Sequence, residues 1–232
     1  MVIKKNQRKF KRYFTFIVLV TAGLCPVFSQ NYSGWYNAAI KLNLPHKFSS
    51  EIQFESRTSF QNPVNLNQYF PQIELGYKIN KRFDVSAAYR FSRTKEDNGY
   101  FYNRNKFYFN FFTDYPIKRF TLKNRFRYQL QTKQYIDNKF DKIPDKKFRD
   151  KIEVSYNIKK TPLEPSLSFE MFYPLNYYKI NNIDEYRIEG SLSFPLAKKH
   201  DMEIGILYIK ERFPIPEKSY ILTLAYSFSA KL

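Results

Sequence analysis

The 232-residue chain holds one cysteine, one tryptophan, two histidines and six glycines. Each scarcity excludes something. A lone thiol, Cys25, rules out an internal disulfide. His46 and His200, with one cysteine, offer no metal-ligand spacing, and both fall in segments that read as turns, away from any serine and acid on a strand face. There is no Gly-rich phosphate loop. No catalytic residue, metal or cofactor is therefore expected. Past the N-terminal segment, no stretch is apolar enough for a membrane helix, which needs ~20 residues. Six glycines are also few for a soluble β-sandwich built on tight turns.

The N-terminus carries an export pattern. Lys4, Lys5, Arg8, Lys9, Lys11 and Arg12 form a basic stretch without an acid, and Phe14 to Cys25 follow as an apolar run. Small residues at Val27 and Ser29 suit a cleavage site, so residues 1–29 read as a signal peptide and residues 30–232 as the mature domain. Two other readings are an uncleaved anchor helix, disfavoured by the short run, and lipidation at Cys25 after Ala22 and Gly23, disfavoured by Leu24. Removal of the signal takes the only thiol with it.

The net charge is +18, and six of those positive charges lie in the signal, which leaves about +12. On an exported protein such a balance points away from nucleic acid. It points towards anionic lipid headgroups, lipopolysaccharide phosphates or acidic solutes. Aromatic residues reach 19%, with 24 Phe and 20 Tyr. Many rings in a chain that is polar on average suit strands with one wet and one greasy face.

That alternation is explicit from Trp35 onward. Phe48, Ile52 and Phe54 oppose Glu51, Gln53, Glu55 and Arg57. Tyr69, Ile73, Leu75 and Tyr77 oppose Gln68, Gln72 and Glu74. Phe83, Val85, Tyr89 and Phe91 oppose Asp84, Ser86 and Arg90. Phe107, Phe109 and Phe111 oppose Lys106, Tyr108 and Asn110. Phe120, Leu122, Phe126 and Tyr128 oppose Lys123, Arg125, Arg127 and Gln129. The pattern continues through 148–158, 167–177, 186–196, 202–208 and 220–232. Trp35 to Leu44 is the first and least regular segment. Segments of roughly 10 to 13 residues, tilted near 40°, span an apolar band of ~25 Å.

Short connections at 45–47, 80–82, 116–119, 159–164 and 197–201 alternate with longer ones at 61–67, 95–101, 134–147, 179–184 and 213–218. This is the arrangement of an outer-membrane barrel with periplasmic turns and extracellular loops. The expectation is an all-β, transmembrane, antiparallel up-and-down β-barrel of 10–12 strands. Eleven segments can be counted, whereas bacterial barrels have even numbers. Either 35–44 lies partly outside the wall, or one segment is misread, or the closure is unusual.

The mature chain also resembles the outer-membrane barrels of domain-of-unknown-function family 2490. The likeness rests on Trp35, Tyr89-Arg90-Phe91, Arg104-Asn105-Lys106-Phe107, Arg125-Phe126-Arg127-Tyr128-Gln129 and the pair Tyr226 and Phe228. The resemblance implies a Gram-negative, Bacteroidetes-type outer membrane and carries no activity.

On the wet faces, Arg104, Lys106, Lys123, Arg125, Arg127, Arg149 and Lys151 form a basic wall. Glu51, Glu55, Glu74, Glu170 and Glu189 form acidic ones. A basic stripe along a pore favours anions, so one reading is a porin-like, narrow pore for small anionic solutes. The other is a closed barrel whose charges pair across a filled lumen, with the loops, such as 134–147, contacting a partner or lipopolysaccharide. A lipid-modifying enzyme is the third. Each short turn carries basic residues: His46-Lys47, Lys81-Arg82, Lys118-Arg119, Lys159-Lys160 and Lys198-Lys199. They serve either as anchors to lipid phosphates or as ordinary solubilising charge. Expected partners are outer-membrane lipids, lipopolysaccharide and the barrel assembly machinery, around a monomer.

Overall fold

The computed structural model describes residues 31–60, 64–96, 98–134, 143–176, 183–212 and 216–231. The expected signal peptide, with Cys25, lies outside the described residues, as does 135–142 of the longest loop. Among the described residues there are eleven strands: β1 Asn31–Asn43, β2 Phe48–Ser59, β3 Asn65–Lys78, β4 Phe83–Lys95, β5 Phe101–Ile117, β6 Phe120–Lys133, β7 Asp145–Tyr156, β8 Glu164–Pro174, β9 Glu185–Ala197, β10 His200–Glu211 and β11 Glu217–Lys231. They form one closed barrel in which each strand pairs with its neighbours in sequence.

Closure resolves the parity problem. An up-and-down barrel with an odd number of strands returns its last strand in the direction of its first, so one pair must be parallel. That pair is β1 and β11, in register from Asn31 beside Ser219 to Asn43 beside Lys231. Residues 35–43 of the segment 35–44 therefore lie in the wall, on β2 at one side and β11 at the other, and Leu44 opens the first connection. The even count expected of bacterial barrels does not hold here. The boundaries also shift: β3 starts at Asn65, inside the expected loop, and β10 runs to Glu211.

The period-two alternation turns the usual protein inside out. Outward Phe109 and Leu167 are each 62% exposed, while inward Arg127, Gln129 and Glu170 are nearly buried. Such a surface is stable against lipid and costly against water. The closed ladder leaves no free sheet edge, which is the condition for β-structure in a bilayer.

The seam around β1 and β11 has a distinct interior. Leu207, Ile209 and Ile221 are buried there and Trp35 packs against them. Gly205 lets β10 approach its neighbours β11 and β9: a Cβ at that position would lie 2.6 Å from Thr223 Oγ1 and 3.0 Å from the Gly190 carbonyl oxygen.

Connections at one rim have two to seven residues (44–47, 79–82, 118–119, 157–163 and 198–199). Those at the other have five to eleven (60–64, 96–100, 134–144, 175–184 and 212–216).

Candidate functional site

Nine consecutive strands each send one side chain to a common belt inside the barrel. In order these are Trp35, Arg57, Phe70, Arg90, Tyr108, Arg127, Arg149, Phe172 and Arg187. Aromatic rings and guanidinium groups alternate around most of it. The Arg57 Cζ lies 3.6 Å from the Trp35 ring centre and the Arg90 Cζ 3.8 Å from Phe70. Arg127 lies 4.3 Å from Tyr108, while Arg149 and Arg187 lie 4.2 and 4.5 Å from Phe172. Arg187 also faces Trp35 at 5.2 Å, which joins the ends of the series. Leu207, Ile209 and Ile221 fill the arc of β10 and β11. An aromatic face attracts a cation by ~0.5–2 kcal/mol without neutralising it. The belt thus fixes its arginines and leaves their charge in place.

Carboxylates compensate only some of these cations. Arg57 donates to Glu55 at 2.7 Å and Arg187 to Glu185 at 2.5 Å, each within its own strand. Glu170 accepts from Arg125 at 2.6 Å and from Arg149 at 2.9 Å. Arg104 pairs with Glu96. These pairs run along the wall, within a strand or between nearby elements, and not across a filled lumen. Among the described residues, Arg90 donates only to the Gln72 amide oxygen, at 2.9 Å, and Arg127 only to Asn110 Oδ1, at 2.5 Å. Lys106 has no hydrogen-bond or ion-pair partner among the described residues, and Arg90 stands in register with it on the neighbouring strand. Adjacent strands β4, β5 and β6 therefore present three basic side chains that no described carboxylate pairs with.

The other residues of the expected walls are placed as follows. Lys151 lies 3.2 Å from Glu153 and 3.7 Å from Glu189, and Lys123 lies 3.8 Å from Glu153. Glu189 also accepts from Thr223. Glu74 accepts from Ser86 at 2.6 Å and stands in register with Glu51. Of the seven expected basic residues, then, only Lys106 and Arg127 are free of a carboxylate. Arg90 completes their cluster and was not singled out by charge alone. Nor were Arg57, Arg187 and the four rings. The usable signal was an aromatic at a wet-face position: Tyr108 shares parity with Lys106 and Asn110, and Phe70 with Gln68 and Gln72.

The belt lies in a central cavity of about 750 Å³. A second cavity of about 630 Å³ lies towards the short-turn rim and shares Glu74, Phe112 and Arg125 with it. A third, of about 530 Å³, lies towards the other rim and shares Trp35, Arg57, Gln68 and Thr94. The three form a series through the barrel. The central lining holds ten cationic and nine acidic side chains among the described residues, so it is nearly balanced in total. It is not balanced in place: β4 to β6 supply six of the cations and none of the acids. A lumen of this kind has a lateral field, with one basic side.

A lumen-bearing, closed β-barrel with a charged interior is the class that this geometry defines. The solved structure titled "NanC porin structure in rhombohedral crystal form" has the same fold: TM-score 0.52 and 16% identity, over 81% of this chain and 94% of that one. Residues 32–218 match the family described as "Protein of unknown function (DUF2490)", and the chain belongs to that family. No curated protein matches the chain in sequence.

Proposed function

We propose that the protein is a monomeric outer-membrane pore for small anionic solutes. The observation that carries this reading is the cluster of Arg90, Lys106 and Arg127, three cations without a carboxylate partner on adjacent strands of a lumen whose cavities share lining residues. A solute carboxylate or phosphate would supply the missing counter-charge for a short stretch of its path. The weak compensation by Gln72 and Asn110 lets it leave again, since conduction needs binding that is favourable but shallow. The outward apolar wall supports the location, and the porin likeness supports the shape. The reading assigns passage, not catalysis, to the lumen. Delivery by an export signal and the barrel assembly machinery belongs to the same proposal.

The test is the conductance of the refolded mature chain in a planar bilayer under a salt gradient. Reproducible steps with an anion-selective reversal potential are expected. Lys106→Gln with Arg127→Gln should move that potential towards zero. Silence from demonstrably folded protein would sink the pore. It would favour a closed barrel, a reading that has the deeply buried Phe70 and Tyr108 at mid-lumen in its support.

A further inference from the structure

The rim of short connections has a chemistry that the lumen does not explain. Its five connections, 44–47, 79–82, 118–119, 157–163 and 198–199, hold nine lysines and arginines and no acid. Among the described residues, the five connections at the opposite rim hold one arginine, Arg212, and two acids, Glu96 and Asp184. Solubility alone requires charge at both rims but not one sign at one rim.

The backbone adds an independent observation. Five described residues other than glycine have positive φ: His46, Lys47, Lys118, Lys160 and Lys199, between 57° and 70°. All are basic, and all lie at this rim. The left-handed region penalises a Cβ, and glycine or asparagine would sit there at lower cost. Tight hairpins commonly use those residues. The chain instead places basic side chains at strained positions in four of the five connections.

Directly inward from these connections stands a ring of outward-facing aromatic pairs. Phe48 and Tyr77 are 5.0 Å apart, Phe120 and Tyr156 4.8 Å, and His200 and Phe228 5.0 Å between ring centres. Arg82 lies 5.4 Å over Tyr115. Aromatic girdles mark the level of the headgroups, and long basic side chains reach from there to phosphate depth.

We infer that this rim is a docking surface for the phosphates of anionic phospholipids in the leaflet that surrounds it. The inference rests on the membrane location proposed above. Multiple lysines near a charged leaflet act together, and the attraction fades with salt.

The test compares spin-labelled phosphatidylglycerol with spin-labelled phosphatidylcholine as annular lipids of the mature barrel in phosphatidylcholine vesicles. The wild type should prefer the anionic lipid by about fivefold or more at low salt. The triple variant Lys118→Asn, Lys160→Asn, Lys199→Asn should lose most of that preference. It should keep or gain thermal stability in zwitterionic micelles, because asparagine tolerates the same φ. A wild type without preference, or a variant that retains it, overturns the inference. So does tight binding of soluble polyglutamate in the absence of any lipid preference, which would give the rim to an acidic protein. Failure of the folded chain to enter vesicles would instead overturn the membrane location itself.

Discussion

Arg127 on β6 stands in direct register with Arg149 on β7, two guanidinium groups side by side in one cavity. Their surroundings differ. Arg149 rests on Phe172 and donates two hydrogen bonds to Glu170, which Arg125 also holds. Arg127 rests on Tyr108 and, among the described residues, has only the Asn110 amide oxygen as a hydrogen-bond partner. Like charges opposite one another destabilise a sheet, and Glu170 is the carboxylate that offsets them.

Glu170→Gln therefore leaves Arg125, Arg127 and Arg149 adjacent without a carboxylate. Breaking a buried pair on one side costs about 3 kcal/mol. We expect a lower urea midpoint in micelles, and a stronger anion preference in whatever fraction folds. An unchanged midpoint would mean that lumen water already screens these charges.

Phe172→Leu separates the ring face from mere volume. The leucine fills most of the space but offers no π surface to Arg149 and Arg187. A loss of about 1–2 kcal/mol is expected, measured in the same unfolding assay. Equal stability would show that the rings of the belt act only as packing.

Two glycines on adjacent strands make a matched pair. A Cβ at Gly205 would collide with Thr223 and approach the Gly190 carbonyl, whereas one at Gly190 would meet nothing within 4 Å. Gly205→Ala should cost about 1–3 kcal/mol. Gly190→Ala should be neutral, or stabilising by up to about 1 kcal/mol. Hydrogen exchange across β9, β10 and β11 would show the difference directly, and similar effects from both would refute the close approach.

Phe109 sits at the middle of β5 and faces outward. At the centre of a bilayer, Phe109→Arg should cost about 2–4 kcal/mol. On a barrel surrounded by water, the same change would relieve an exposed ring. Unfolding in vesicles therefore decides between the two environments, and a stabilised variant would exclude lipid contact at this position.

Much of the wall was legible from residue order alone. Phe107 and Phe109 alternate with Lys106 and Tyr108, and one face must then be wet and the other apolar. The direction of closure was not legible, because Trp35 to Leu44 alternates weakly: β1 faces the small and apolar side of the lumen, with Ala39 buried there. Charge could nominate Arg125 and Arg149 but could not reveal that Glu170 holds both, since Glu170 lies 45 residues from the first and 21 from the second. The belt escaped for a similar reason. An arginine on one strand and a ring on the next become neighbours only through register, which the turns and bulges set together, such as the shift between Arg57 and Thr58.

The parallel pairing of β1 with β11 also fixes where the barrel can be gripped. Its thirteen registered positions put Asn31 at one rim and Lys231 at the other, ~40 Å apart along the strands. A connection between these two points would have to run the full height of the barrel, which a few residues cannot do. A force applied to both points pulls along the seam in shear and loads all its hydrogen bonds at once. In an antiparallel seam, where both grips share a rim, the same force would peel the bonds apart in sequence.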